Sequence, residues 1–100
     1  MNINQTWSIR NIECTRAYDD SIQSSNKIHW KLTTQNTDGY VYTVTQLGAV
    51  EVSLTTEQCL GLSPEDALSI AKDKLGDSVA ILEASGVEQL NQMIIPVVEE

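Results

Sequence analysis

The chain has 100 residues, of which 41% are hydrophobic, and it carries a formal net charge of −8. A chain of this size and hydrophobic content can bury its own core, which excludes an intrinsically disordered protein and predicts a single domain. Residues 51–100 hold ten acidic and two basic side chains, whereas residues 1–50 hold four of each. Because an acidic surface repels phosphate groups and anionic lipids, we expect neither nucleic acid nor membrane as a partner.

The acidic second half has two interpretations. A solvated helical face accounts for the charge without any partner. Alternatively, the same face is a docking surface for a basic partner. The sequence has no apolar run of transmembrane length, and its N-terminus lacks the apolar segment of a secretory signal. We therefore expect a product that acts or assembles inside a cell.

The chain has two cysteines, Cys14 and Cys59. A disulfide framework in so short a chain would need more of them. We therefore predict two separate thiols, packed as small buried hydrophobic side chains in a reducing compartment.

Alternation of apolar and polar residues predicts a first strand over residues 6–14. Trp7 and Ile9 share one side of that strand, whereas Ile12 falls on the opposite parity. The change of parity indicates either a bulge near Asn11 or burial on both sides.

The clearest strand covers residues 28–34, where apolar and polar side chains alternate without interruption. A turn of Asn-Thr-Asp-Gly at residues 36–39 follows it. Residues 40–47 are rich in β-branched and aromatic side chains, which predicts the returning strand of a hairpin. Gly48 then suggests a bulge or sharp bend before the strand continues over residues 49–54.

Helical periodicity begins at residue 55. Residues 55–60 can form one helical turn, and the next segment carries complete helix signals. Ser63 is a candidate N-cap, Pro64 suits the first helical position, and Gly76 supplies a closing residue with positive φ. Ala67, Leu68, Ala71 and Leu75 form the apolar stripe of this helix.

A second long helix is predicted to start at Asp77 or Ser78 and to end before Pro96. Gly86 lies in its middle, where glycine costs about 1 kcal/mol relative to alanine. Such a residue is tolerated where another backbone comes close, so we expect Gly86 to face the sheet or the preceding helix.

These elements predict one α+β domain over residues 1–100. A small antiparallel sheet of three or four strands, connected as a meander, is covered on one face by a C-terminal helical hairpin. Residues 1–54 form the β-rich half, residues 55–95 the helical half and residues 96–100 a tail.

We predict no catalytic, cofactor-binding or metal-binding residues. His29, the single histidine, lies opposite the apolar face of its strand, and neither it nor Cys14 or Cys59 has metal-ligand spacing. Trp7 and Trp30 could stack bases or sugars, but in a chain without Phe they are expected to form the core.

Five short motifs occur in an order that resembles a family of small tailed-bacteriophage proteins. They are Trp-Ser-Ile at residues 7–9, Trp-Lys-Leu-Thr at 30–33, Leu-Ser-Pro-Glu-Asp at 62–66, Leu-Gly at 75–76 and Glu-Ala-Ser at 83–85. The family has no assigned activity, so the resemblance implies a phage origin and no enzyme, and it transfers no functional residue.

The resulting hypothesis is a non-enzymatic phage structural or accessory protein, such as a minor head or tail component of the virion. Other phage structural proteins or further copies of the chain would be its partners, and it could form a homo-oligomer. A sheet edge or the apolar tail could dock on a neighbour by adding a strand. The tail residues assigned to partner binding are Ile94, Ile95, Val97 and Val98.

Two alternatives remain. The first is an effector that binds a host protein in the cytoplasm through its acidic helical face. The second is an enzyme, which would need a pocket that unites His29 with a carboxylate or with Cys14.

Overall fold

The computed structural model describes residues 2–14 and 25–94. Three strands form one antiparallel sheet in the order β1-β2-β3, and three helices follow them. The elements are β1 (Ile3–Glu13), β2 (Ser25–Asn36), β3 (Thr43–Ser53), α1 (Thr56–Leu60), α2 (Pro64–Leu75) and α3 (Ser78–Ile94). This confirms the predicted α+β fold, with a three-stranded meander and C-terminal helices against one face.

The core lies between the helices and the inner face of β2, the central strand. Ile28, Trp30 and Leu32 alternate along that face, and all three are buried. Against Ile28 pack two small residues of the predicted helical stripe, Ala67 and Ala71, whose short side chains let α2 approach the sheet closely. The opposite face of the sheet is open and mostly polar, as an antiparallel sheet allows, with Leu47 as its large exposed apolar side chain on β3.

A bulge in β1 keeps its apolar side chains on the inner face. The register of β1 with β2 shifts between Ile9 and Asn11, so Ile9 pairs with Trp30 while Ile12 pairs with Ile28. Both isoleucines therefore pack against the core despite their opposite parity. The predicted bulge near Asn11 is confirmed.

Gly48 has a different role from the predicted one. The β2–β3 register is unbroken there, so Gly48 marks neither a bulge nor a sharp bend. It lies opposite Trp30, and a Cβ atom on Gly48 would overlap the six-membered ring of the indole. Because Gly48 has no side chain, the Trp30 indole can pack directly against its backbone.

The returning strand begins later than residue 40, because Asn36 organises the connection before it. The Asn36 side-chain amide donates to the carbonyl oxygens of Asp38 and Tyr40, at 2.6 and 2.5 Å, and its Oδ1 accepts from the Tyr42 N–H. Gly39 takes a φ of 66° within the turn. Tyr40 is 87% exposed, so this hairpin tip lies outside the core.

The predicted start and end of the first long helix are both confirmed in α2. The Ser63 hydroxyl accepts from the Asp66 N–H at 3.1 Å, and Pro64 occupies the first turn. Gly76 ends the helix with φ 55° and ψ −125°, a conformation open almost only to glycine. The Val79 N–H then donates to the Gly76 carbonyl at 3.1 Å, which joins the end of α2 to the start of α3.

The sequence predicted that Gly86 faces either the sheet or the preceding helix, and in the structure it faces the sheet. A Cβ atom on Gly86 would lie 2.5 Å from Thr34 Oγ1 and 2.6 Å from Gln46 Oε1. Since Thr34 belongs to β2 and Gln46 to β3, α3 crosses above the seam between these two strands.

Replacing the N-cap in Ser63→Ala should lower the free energy of unfolding by about 1 kcal/mol, because the Asp66 N–H loses its acceptor. Urea unfolding measures the change. Ser69→Ala, at an exposed position inside α2, is the matched control and should change stability by a few tenths of a kcal/mol at most. Equal stability of Ser63→Ala and the wild type would show that the cap contributes nothing.

Gly86→Ala should destabilise the protein by about 1 kcal/mol, since crowding against Thr34 and Gln46 outweighs the gain in helix propensity. Ala84→Gly, on the exposed side of the same helix, measures the propensity effect alone. A Gly86→Ala protein more stable than the wild type would contradict the close approach of α3 to the sheet.

Candidate interaction surface

The outer edge of β3 is the best candidate for a contact with another chain. β3 is an end strand of the sheet, and no described residue pairs with its outer edge. It runs for eleven residues without proline or a register shift, and Glu51 is its single charged residue. The other end strand, β1, carries a bulge and two charged side chains. Of the two edges, β3 has fewer of the features that prevent strand addition.

An open groove lies beside this edge, where the start of β3 faces the end of α3. Its volume is about 430 Å³. The residues that line it are Thr43, Val44, Thr45, Gln89, Gln92 and Met93. None of these side chains is ionisable, and Met93 is 48% exposed. The groove therefore offers apolar and amide surface, which suits a protein partner better than a charged ligand.

The flank of α3 on the β3 side continues this uncharged surface. Ser85, Gln89 and Gln92 recur at intervals of four and three residues and so follow one side of the helix. Gln89 donates from its amide to the Ser85 hydroxyl at 3.1 Å. Glu83 points the other way, towards β1, where its carboxylate accepts from Trp7 Nε1 at 2.9 Å. The three side chains on the β3 side are uncharged.

A polar layer fixes α3 above the sheet. Gln5 Nε2 donates both to Thr34 Oγ1, at 2.9 Å, and to the Glu83 carbonyl, at 2.8 Å. Beside this pair, Trp30 Nε1 and Gln46 Oε1 are buried and have no partner among the described residues. Gln5 thus joins α3 to β1 and β1 to β2, which fixes the position of the helix above the sheet.

The helices carry the second candidate surface, the acidic one. Residues 56–94 hold seven acidic side chains and two lysines. One of those lysines, Lys72, lies over the Trp7 ring, with Nζ 5.6 Å from its centroid. Trp7 in turn packs against Trp30 with ring centroids 5.3 Å apart. The two tryptophans thus pack against each other and against α2, with Trp30 buried and Trp7 partly buried.

The tail residues assigned to partner binding can be located only in part. Ile94 is the last residue of α3, and its side chain lies outside the described residues. Ile95, Val97 and Val98 also lie outside them, as does the predicted tail at residues 96–100. Their role in binding remains a prediction. The groove lined by Met93 lies at the end of α3 from which these residues continue.

His29 lies on the open face of the sheet, where its Nε2 is 3.3 Å from Glu13 Oε1. Histidine and a carboxylate therefore do meet, but neither of them lines the groove beside β3. Within residues 2–14 and 25–94, no group of three or more His, Cys, Asp or Glu side chains could hold a metal ion.

The prediction of two separate thiols is wrong. Cys14 and Cys59 form a disulfide between the end of β1 and the short helix α1, with Cα atoms 5.9 Å apart and a sequence separation of 45. The expectation of a reducing compartment rested on free thiols, so its basis is removed. Proximity arises because α1 folds back against the end of β1, which residue spacing alone does not reveal.

None of the helices in the described part of the chain has the length and hydropathy that a membrane crossing requires. Comparisons with protein-family models, curated proteins and solved structures found no match to this chain. Its own geometry and motifs therefore carry the functional argument.

Removing the disulfide in a Cys14→Ser/Cys59→Ser double variant should lower the free energy of unfolding by about 2–4 kcal/mol, because the unfolded chain gains conformational freedom over a long loop. Urea unfolding with and without a reducing agent is the measurement. Reductant should destabilise the wild type to the level of the variant and leave the variant unchanged. Two titratable thiols in the unreduced, unfolded wild type would disprove the bond.

Proposed function

We propose that this chain is a non-enzymatic protein that acts through protein–protein contacts, as a minor structural or accessory component of a bacteriophage particle. The observation that carries the proposal is the outer edge of β3, which no described residue pairs with and which lies beside an open uncharged groove. Such an edge binds by adding a strand, a mode in which main-chain hydrogen bonds supply affinity and neighbouring side-chain pockets supply specificity. The phage origin follows the five sequence motifs alone.

The disulfide supports a particle component over a cytoplasmic protein. Disulfides persist in oxidising surroundings and are rare in a reducing cytosol. A virion spends its stable life outside the cell, where the Cys14–Cys59 bond would be maintained. A protein that acts only in the host cytoplasm would be exposed to thiol reductants throughout its function.

The alternative is an effector that occupies a basic site on a host protein. It is favoured by the charge of the helical layer, whose seven acidic side chains and two lysines give a net charge of −5 over residues 56–94. Such a surface can compete with nucleic acid for a basic partner, and its binding would weaken steeply as salt rises.

The first experiment is quantitative mass spectrometry of purified particles of the phage that encodes the chain. We expect a constant number of copies per particle that survives a high-salt wash, since strand addition does not depend on charge. Leu47→Glu, which alters an exposed side chain on β3, should reduce incorporation. Leu60→Glu makes the same change on α1, away from this surface, and should not. Particles without the chain would disprove the proposal.

The effector alternative is tested by affinity capture from infected host lysate. A single host protein recovered in equal amount with the chain, and released by about 0.5 M salt as screening predicts, would favour the alternative. Charge reversal on α2, such as Asp73→Lys, should then weaken capture, whereas Leu47→Glu should not.

A further inference from the structure

We propose that the partner of the β3 edge is the β3 edge of a second copy, paired antiparallel about a two-fold axis at Gly48. The two sheets would join into one sheet of six strands, with all helices on the same side. This inference rests on the proposed function, action through protein contacts, and names the partner. Four observations support it: the strand length, the cross-strand pairs, the position of α3 and the chemistry of its flank.

Gly48 is the midpoint of β3, which runs from Thr43 to Ser53. A two-fold axis there opposes the two ends of the strand and pairs all eleven residues. Any other symmetric register leaves part of the strand unpaired. Full pairing satisfies the largest number of edge N–H and C=O groups.

The same register opposes compatible side chains. On the open face, Leu47 meets Ala49, and Glu51 meets the uncharged Thr45 of the other copy. On the inner face, Val44 meets Val52. No residue pair brings like charges together, and apolar pairs flank the axis.

The position of α3 leaves room for its own copy. Gly86 places the helix above the seam between β2 and β3. Neighbouring strands are about 4.8 Å apart, so α3 lies roughly 5 Å from the axis and roughly 10 Å from its symmetry mate. Packed helices lie about 8–10 Å apart. At Gly86 the two α3 helices would therefore lie at packing distance.

The flanks that would face each other are also suited to contact. Ser85 and Gln89 present a small and an amide side chain towards β3, whereas the exposed Glu88 lies further round the helix. Leu47 and Met93 are 53% and 48% exposed. Leu47 belongs to β3 and Met93 lines the groove beside it, so the dimer would cover both.

Sedimentation equilibrium of the full-length, unreduced chain tests the dimer, and position 45 tests its register. Thr45 is exposed and pairs with the neutral Thr33 in the monomer. Thr45→Lys would face Glu51 of the other copy and should tighten dimerisation about fivefold, whereas Thr45→Glu should weaken it about fivefold. Salt should diminish both effects.

Leu47→Glu should weaken the dimer more strongly than Thr45→Glu, at least tenfold, because it places two carboxylates close to the axis at Gly48, one on each side. Leu60→Glu is the matched control: Leu60 is 74% exposed and belongs to α1. It should leave the dissociation constant unchanged, and circular dichroism melting should confirm that each variant is folded.

A wild-type chain that stays monomeric at about 1 mM would overturn the inference, as would equal effects of Thr45→Lys and Thr45→Glu. Dimerisation lost in Val97→Asp but unaffected by Leu47→Glu would assign the contact to the tail and overturn it too. These results are distinct from those of the particle experiment. A monomeric chain found in particles would retain the proposed function with a different partner. A dimeric chain absent from particles would support the dimer and contradict the proposed function.

Discussion

The structure depends on burial of one face of β2. This strand is the centre of the sheet, and its alternating Ile28, Trp30 and Leu32 are the side chains on which α2 and α3 pack. A three-stranded sheet with helices on one side has a small core, so each large residue in it carries much of the stability. Gly48 belongs to the same constraint, because the Trp30 ring can lie flat only where β3 lacks a side chain.

The disulfide adds a second constraint at one end of the domain. Cys59 is buried while α1, only five residues long, has little surface of its own to bury. A covalent bond to the end of β1 holds this short helix in place and closes a loop of 45 residues in the unfolded chain. Such a bond persists where conditions are oxidising, as the proposed place on a particle would provide.

The two edge strands of the sheet differ in regularity and in charge. The bulge in β1 twists that edge and returns Ile12 to the core, whereas β3 is straight in register and nearly uncharged. α3 follows the same division: Glu83 binds Trp7 on the β1 side, and the flank towards β3 carries amides and small residues. The β1 side of the domain is thus held by contacts within the chain, whereas no described residue pairs with the outer edge of β3.

The sequence by itself determined the local structure. Apolar alternation predicted β2, the change of parity after Ile9 predicted the bulge, and Ser63 and Gly76 marked the ends of α2, because each of these signals acts over a few neighbouring residues. Tertiary structure decided what depends on distant residues meeting. The Cys14–Cys59 bond, the packing of Trp30 over Gly48 and the alignment of the β3 edge with the uncharged flank of α3 all join separate elements. Residue spacing does not predict these contacts, because they form only when the helices pack on the sheet.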